Sequence, residues 1–201
     1  MELLVPLIVA GYLLGSVPTG GLVARRLLRR PPPGNPAPLE LYERAGRLTG
    51  ALAALLEVAK GGVPALAGYL ALGMSGAVWA GSAAVFGHAV SIFMRGGGGK
   101  GVSPVVGVLL IVHPLVVIIL AMVWTAALSA WRYASLAALV AAAVTPLALA
   151  AVDAGNEDEG TVLAGAVFWA LLVFFEHREN IRRLINGREV RFRASPRRRL
   201  R

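Results

Sequence analysis

Long apolar segments follow one another along nearly the whole chain, and they constrain its fold more than any other feature. Seven such segments are recognised, near residues 3–24, 50–71, 76–94, 101–112, 114–131, 133–152 and 160–176. A helix needs roughly 20 residues to cross the hydrocarbon core of a bilayer. Because 57% of the 201 residues are hydrophobic and only 15% are charged, the sequence predicts an all-α, polytopic membrane protein with a single membrane domain over residues 1–201.

The number of spans and their orientation follow from the charges of the connecting loops. The segment at 101–112 is short for a membrane span, and merging it with the next segment would leave six spans. Basic residues, however, fall in alternate connections: the first loop, the glycine-rich loop, the turn at Arg132 and the C-terminal tail. The intervening connections are uncharged or acidic, as between Asp153 and Glu159. The positive-inside rule therefore favours seven transmembrane helices, with the N-terminus outside and the C-terminus in the cytoplasm.

The basic residues that produce the net charge of +9 are concentrated at the C-terminus. Ten of the twenty lie between Arg178 and Arg201, so residues 177–201 are predicted to form a basic cytoplasmic interfacial helix and tail. Attraction to anionic lipid headgroups, together with topology, accounts for this charge without a nucleic-acid partner. The chain has no cysteine, which excludes disulfides and thiolate metal sites, and no metal site is predicted.

The sequence R-G-G-G-G-K-G at 95–101, here called the glycine loop, is the main candidate for a binding site. Glycine amides can approach an oxyanion closely, and Lys100 adds a compact positive charge. The alternative is a flexible linker with one solvated lysine. A nucleotide-binding phosphate loop is disfavoured, because that motif needs glycine at position 94 and serine or threonine at position 101, where this chain has methionine and glycine.

Ionisable side chains inside the apolar segments need a physical reason, because placing one in hydrocarbon costs roughly 2.5 to 3.5 kcal/mol. Glu57 and Lys60 are three residues apart and would share a helix face. They form either a mutually neutralising pair or, with Lys60 as a second phosphate ligand, part of a binding site. His88 is predicted to be a hydrogen-bonded structural residue that could order the glycine loop.

A polar motif follows the last apolar segment. If residues 177–184 are helical, His177 and Asn180 share a face and can point toward the glycine loop. The alternative is an interfacial amphipathic helix, which accounts for the arginines better than for the histidine and asparagine.

Several motifs together resemble one known family. They are G-Y-L-L-G-S-V-P-T-G at 11–20, E-V-A-K-G at 57–61, G-H at 87–88, G-G-K-G at 98–101 and H-R-E-N-I-x-R-L-x-x-G-x-E at 177–189. This pattern resembles the bacterial integral-membrane acyl-phosphate:glycerol-3-phosphate acyltransferases, the PlsY family. The resemblance implies a seven-helix, multi-pass protein of the bacterial plasma membrane with a cytoplasm-facing site. It also implies phospholipid biosynthesis: a fatty acyl group passes from acyl phosphate to glycerol 3-phosphate, giving lysophosphatidic acid and phosphate, without a cofactor.

The resemblance and the chemistry together assign roles to particular residues. Lys100 is expected to face a phosphate or the charge that develops during acyl transfer, Asn180 to orient substrate, and His177 to donate a hydrogen bond or handle a proton. Glu57 and His88 are supporting residues. The expected partners are acyl phosphate, glycerol 3-phosphate and membrane lipids. The expected phosphate-binding residues are Gly98, Gly99, Gly101, Lys60, Gly34, Asn35 and Arg44.

The first loop departs from the family pattern. G-S-G-N-x-G-A-T-N-x-x-R becomes P-P-G-N-P-A-P-L-E-L-Y-E at 32–43, so only Gly34 and Asn35 are retained. The family's serine falls on Pro33 and its arginine on Glu43, with Arg44 one position away as a possible substitute. Two alternatives therefore stay open: a noncatalytic lipid-phosphate-binding paralogue, and a small membrane transporter of phosphorylated anions.

The lost hydroxyl leads to a prediction. If the missing serine limits catalysis, Pro33→Ser should raise the initial rate of lysophosphatidic acid formation above that of the unmodified chain. A rate equal to or below that of the unmodified chain would show that this hydroxyl is not what the enzyme lacks.

Overall fold

The computed structural model describes residues 2–32, 34–95 and 97–192 of the chain. Pro33 and the tail beyond residue 192 lie outside the described residues. Over the described ranges the regular structure is helical, with no strand, which confirms the predicted all-α class. The helices are α1 (Leu4–Ser16), α2 (Thr19–Leu27), α3 (Pro38–Ala45), α4 (Arg47–Ala89), α5 (Val102–Val112), α6 (Pro114–Trp131), α7 (Ala134–Asp153), α8 (Glu159–Glu176) and α9 (Arg178–Ile185), with a 3₁₀ turn at Ile92–Met94.

Helices of membrane-spanning length account for most of the chain. Within the described residues, five stretches are long and apolar enough to cross a membrane: Leu4–Leu27, Arg47–Met94, Pro114–Trp131, Ala134–Asp153 and Glu159–Glu176. The 11-residue α5 is apolar but shorter than these. The chain is therefore a multi-pass membrane protein, as its composition predicts.

The long helix α4 is two arms joined by a turn. Leu72 has φ −139° and Gly73 has φ +68°, so the helical backbone breaks at the uncharged turn that separates two of the predicted spans. A positive φ is readily available to glycine and strained for other residues. The arms fold back on one another so closely that a side chain at Gly68 would overlap the backbone of Gly76. The arms before and after Gly73 correspond to the predicted segments at 50–71 and 76–94.

The first predicted span is two helices rather than one bent helix. α1 ends at Ser16, Val17 is extended (φ −60°, ψ 124°), and α2 begins after Pro18. Proline has no backbone N–H to donate, and it disfavours a helical conformation in the residue before it. At Pro18 these two effects end the helix instead of bending it. The break frees the Val17 carbonyl, which accepts a hydrogen bond of 2.8 Å from Lys60 Nζ.

Small residues bring α1 against the second arm of α4. A side chain at Gly11 would overlap the carbonyl of Ala80, and one at Gly15 would overlap the backbone of Ala84. The four-residue spacing of these glycines predicts such close helix packing, and the structure confirms it.

The connections between helices are divided between two ends of the bundle. The described parts of the first loop (residues 28–32 and 34–46, including α3) and of the glycine loop, the turn at 132–133 and α9 lie at one end, here called the site end. At the opposite end, Ser75 donates a hydrogen bond of 3.2 Å to Asp158, and His113 Nε2 lies 3.0 Å from Asp153 Oδ1. The polar segments that the sequence singles out therefore converge at the site end.

Candidate active site

A cavity of about 820 Å³ opens at the site end of the bundle. Its walls are formed by residues of the first loop, α4, the glycine loop, α7 and α9. Apolar side chains that include Ala51, Ala54, Val102, Trp124 and Ala138 line part of it. Its polar lining comprises Asn35, Glu40, Tyr42, Arg47, Glu57, His88, Lys100, Ser103, Ser135, His177, Asn180 and Glu189.

Most of the site residues expected from the sequence meet in this cavity. Of the expected site residues, those that line the cavity are Lys100, His177, Asn180, Asn35, Gly98, Gly99, Gly101, Glu57 and His88. Three expected phosphate ligands, Lys60, Gly34 and Arg44, are not part of the lining. Arg44 instead forms an ion pair of 2.8 Å with Glu40, one helical turn earlier.

The glycine loop is packed against α4 rather than extended into solvent. The amide of Gly98 donates to the Ala89 carbonyl at 3.1 Å, and the amide of Gly99 donates to the His88 carbonyl at 2.9 Å. A side chain at Gly99 would overlap the His88 imidazole. These contacts do not fit the flexible-linker interpretation. They also engage the two glycine amides that the sequence suggested as phosphate donors.

The start of α5 provides other donors at the same place. Gly101 (φ +79°) precedes α5, and Gly101, Val102 and Ser103 all line the cavity. The first N–H groups of a helix have no partners within the helix, and the helix dipole favours an anion there. Lys100 stands directly before this helix and has no ion pair or hydrogen bond among the described residues. Partial desolvation lowers the pKa of Lys100, and the charge of Arg183 adds to this effect, although Glu189 and Glu40 oppose the shift.

A buried cluster of charged and polar side chains, formed by Glu57, Lys60 and His88, lies next to the glycine loop. Glu57 Oε2 lies 3.1 Å from Lys60 Nζ and 2.9 Å from His88 Nδ1. Because the Lys60 ammonium also donates to Val17, it is held within the protein as a counter-ion. The mutually neutralising pair that the sequence offered as one alternative is therefore present.

The other carboxylate oxygen of Glu57 ties the first loop and α2 to this cluster. It accepts hydrogen bonds from Thr19 Oγ1 at 2.6 Å and Asn35 Nδ2 at 3.2 Å. Asn35 in turn accepts a bond of 3.0 Å from the amide of Gly21. Since His88 packs under Gly99, one carboxylate connects the first loop, α2, α4 and the glycine loop.

His177 lies at the junction of α8 and α9. Its Nδ1 is 2.8 Å from the Val173 carbonyl, which requires a proton on Nδ1 and leaves Nε2 as the acceptor. Burial lowers the pKa of His177 to about 4. The hydrogen bond to Val173 opposes this shift, and the nearby charge of Lys100 adds to it. The imidazole is therefore neutral at pH 7.

Glu189 organises the polar side chains next to His177. Its Oε1 accepts bonds of 2.7 Å from Ser135 and Asn180, and its Oε2 pairs with Arg183 at 2.7 Å. Desolvation raises the pKa of Glu189, but these hydrogen bonds and the Arg183 charge outweigh it and the net shift is downward. The sequence motif contained Glu189 without indicating a role, and Ser135 carried no signal, because a serine beside an apolar segment is common.

The fold and the cavity define a multi-pass membrane protein with a polar cavity at one end of its helical bundle. The sequence profile described as Glycerol-3-phosphate acyltransferase matches residues 5–187. The glycerol-3-phosphate acyltransferase of Geotalea daltonii is 38% identical over 187 residues, covering 91% of this chain and 94% of that protein. The one from Desulforudis audaxviator is 39% identical over 199 residues, covering 96% and 98%. The chain belongs to the glycerol-3-phosphate acyltransferase family.

Solved structures agree with this assignment. A crystal structure of PlsY (YgiH), an integral membrane glycerol 3-phosphate acyltransferase in its glycerol 3-phosphate form, superposes with a TM-score of 0.84. The identity is 33%, and the alignment covers 95% of this chain and 96% of that one. The lysphosphatidic acid form gives the same TM-score at 31% identity. The resemblance noted from sequence motifs is confirmed.

Proposed function

We propose that this protein transfers a fatty acyl group from acyl phosphate to glycerol 3-phosphate, giving lysophosphatidic acid and inorganic phosphate. The observation that carries the proposal is the cavity in which the unpaired Lys100, the start of α5, the neutral His177 and Asn180 meet. Family membership supports the acceptor and the reaction class. The acyl phosphate donor is what the resemblance to the PlsY family implies, and the cavity suits it, since cationic groups for phosphate lie beside an apolar wall for a fatty chain.

The bond changes are those of direct acyl transfer. The attacking hydroxyl of glycerol 3-phosphate forms a C–O bond to the acyl carbon, and the bond from that carbon to the phosphate oxygen breaks. Negative charge builds on the carbonyl oxygen meanwhile, and fixed donors stabilise it. No covalent intermediate with the protein is needed, because phosphate is already a good leaving group.

Each site residue has a part in this proposal. His177 Nε2 accepts the proton of the attacking hydroxyl, and Lys100 with the first amides of α5 binds the phosphate of the donor. Asn180 uses its amide nitrogen on Glu189, which leaves its amide oxygen to orient the acceptor. Glu57, Lys60 and His88 hold the glycine loop in place. We propose Lys60 as a buried counter-ion in place of the phosphate-ligand role suggested from the sequence.

The membrane arrangement is part of the same proposal. Seven passes connect the two ends of the bundle if the two arms of α4 are counted separately and the short α5 is included. The positive-inside rule then places the site end in the cytoplasm, where glycerol 3-phosphate is available, with the N-terminus outside. Cysteine-accessibility labelling of a residue introduced into the first loop, in intact cells and in inverted vesicles, tests this orientation.

The activity is tested with the purified protein in detergent or lipid, supplied with acyl phosphate and glycerol 3-phosphate. We expect lysophosphatidic acid and phosphate in equal amounts, and neither product without the acyl donor. Binding of both substrates without turnover would contradict the proposal and indicate the noncatalytic paralogue. Substrate flux through proteoliposomes without turnover would indicate the transporter.

The packing of the glycine loop gives a sharp prediction. Gly99→Ala would push a methyl group into the His88 ring, so we expect the loop to shift and kcat/KM to fall by about tenfold or more. Gly97→Ala is the matched control, because the nearest atom to its new methyl, the Met94 carbonyl oxygen, would be 3.5 Å away. Similar kcat/KM for the two variants, measured with both folded, would show that the packing on His88 does not matter for catalysis.

A further inference from the structure

Two of the cations that line the cavity form no ion pair or hydrogen bond among the described residues. The acidic lining residues each have a cationic partner: Arg44 for Glu40 at 2.8 Å, Lys60 for Glu57 at 3.1 Å and Arg183 for Glu189 at 2.7 Å. Among the described residues, the lysine and arginine that line the cavity, Lys100 and Arg47, have no ion pair or hydrogen bond.

Two unpaired cations match the chemistry of the proposed reaction. Both substrates carry a phosphate, and a phosphate monoester bears a charge of about −1.5 to −2 at pH 7. One lysine beside the start of α5 serves one such group. The second phosphate needs a separate positive group, because two dianions at one cation would repel each other.

We propose that Arg47 binds the phosphate of glycerol 3-phosphate. This inference rests on the proposed function, and Arg47 lies outside the sequence motifs that indicate the family. The guanidinium suits the task, since its planar array of N–H donors can bind a phosphate through two parallel hydrogen bonds.

The position of Arg47 favours binding of the acceptor phosphate, that of glycerol 3-phosphate, over binding of the donor phosphate. Arg47 is the first residue of α4 and is exposed to solvent, so it lies where a water-soluble anion enters the cavity. The acyl phosphate must instead place its chain along the apolar wall, to which Val102, two residues after Lys100, contributes. The two phosphates are then bound at separate cations, with the reacting groups between them.

The same geometry explains how the chain tolerates its altered first loop. The arginine of the family motif is replaced by Glu43, and the neighbouring Arg44 is engaged by Glu40. Arg47, three residues later and the first residue of the next helix, lines the cavity and has no ion pair among the described residues. A cation for the acceptor is therefore present, although it comes from α4 and not from the motif position.

Steady-state kinetics of Arg47→Ala test the proposal. We expect KM for glycerol 3-phosphate to rise about tenfold, as for loss of a hydrogen bond to a charged group, with KM for acyl phosphate changed less than about twofold. Arg47→Lys should recover part of the affinity because it keeps the charge. Arg30→Ala is the control, since Arg30 is an exposed arginine of the first loop that does not line the cavity.

Three outcomes would overturn the proposal: an unchanged KM for glycerol 3-phosphate, a rise confined to acyl phosphate, or a rise in Arg44→Ala that Arg47→Ala does not show. Direct binding of glycerol 3-phosphate, measured by calorimetry without the acyl donor, separates this inference from the proposed function. If the unmodified protein binds glycerol 3-phosphate but does not turn over, the activity is wrong, and a weaker affinity in Arg47→Ala still supports the binding role.

Discussion

Lys100→Ala is expected to lower kcat/KM by about 10²- to 10³-fold. Lys100 lies in the cavity at the start of α5 without an ion pair among the described residues, and removing it takes away the charge that we propose faces the donor phosphate and the oxygen that becomes negative during transfer. Losing one preorganised donor to a developing oxyanion has an effect of this size in other enzymes. Initial rates of phosphate release at varied acyl phosphate measure it.

Lys100→Arg serves as the control for charge. It retains the positive charge but changes its shape and reach, so we expect activity between that of the unmodified protein and that of Lys100→Ala. If Lys100→Ala retained the unmodified rate while folded, the assignment of the site would be wrong, because no other lysine lines the cavity over the residues that the structure describes.

His177→Ala is expected to lower kcat by about 10²-fold or more, which is typical for loss of a general base. Binding of glycerol 3-phosphate should change little, because the proposed phosphate ligands are elsewhere. His177→Gln distinguishes the two roles considered for this residue, since an amide can donate to Val173 but cannot accept a proton as a base. Activity recovered in His177→Gln would contradict proton transfer and leave only hydrogen bonding.

The protonation state of His177 can be measured directly. Burial lowers the pKa of His177 to about 4, so its imidazole should stay neutral as the pH falls from 7.5 to 5.5. An ordinary histidine with a pKa near 6.5 would gain a proton over that interval. Nitrogen NMR of ¹⁵N-histidine-labelled protein, with His177→Gln to assign the signal, measures this. A midpoint near 6.5 would contradict the neutral state on which the base role depends.

Most of the fold could be predicted from the sequence, because the bilayer selects segments by composition and length. The predicted segment at 114–131 coincides with α6, and those at 101–112, 133–152 and 160–176 differ from α5, α7 and α8 by one residue. A proline inside an apolar segment, such as Pro18, predicts a kink, whereas the structure ends one helix and begins another there. Whether proline bends or ends a helix depends on what accepts the freed backbone groups, and here Lys60, more than forty residues away, bonds to Val17.

The site was predicted less completely, because its details depend on which polar groups are already paired. The sequence indicated the glycine loop, Lys100, His177 and Asn180, since such residues are unusual beside apolar spans. It could not show that the amides of Gly98 and Gly99 are used by backbone carbonyls.

Hydropathy and motif spacing are local properties that can be recognised along the chain, and they are enough to identify a helical membrane protein of the glycerol-3-phosphate acyltransferase family. Which charges remain unpaired in the cavity depends on how the chain folds. Arg44 and Arg47 are three residues apart in the sequence, yet Glu40 forms an ion pair with Arg44 while no described carboxylate pairs with Arg47. Ion pairing depends on distances of a few ångströms that only the folded chain establishes.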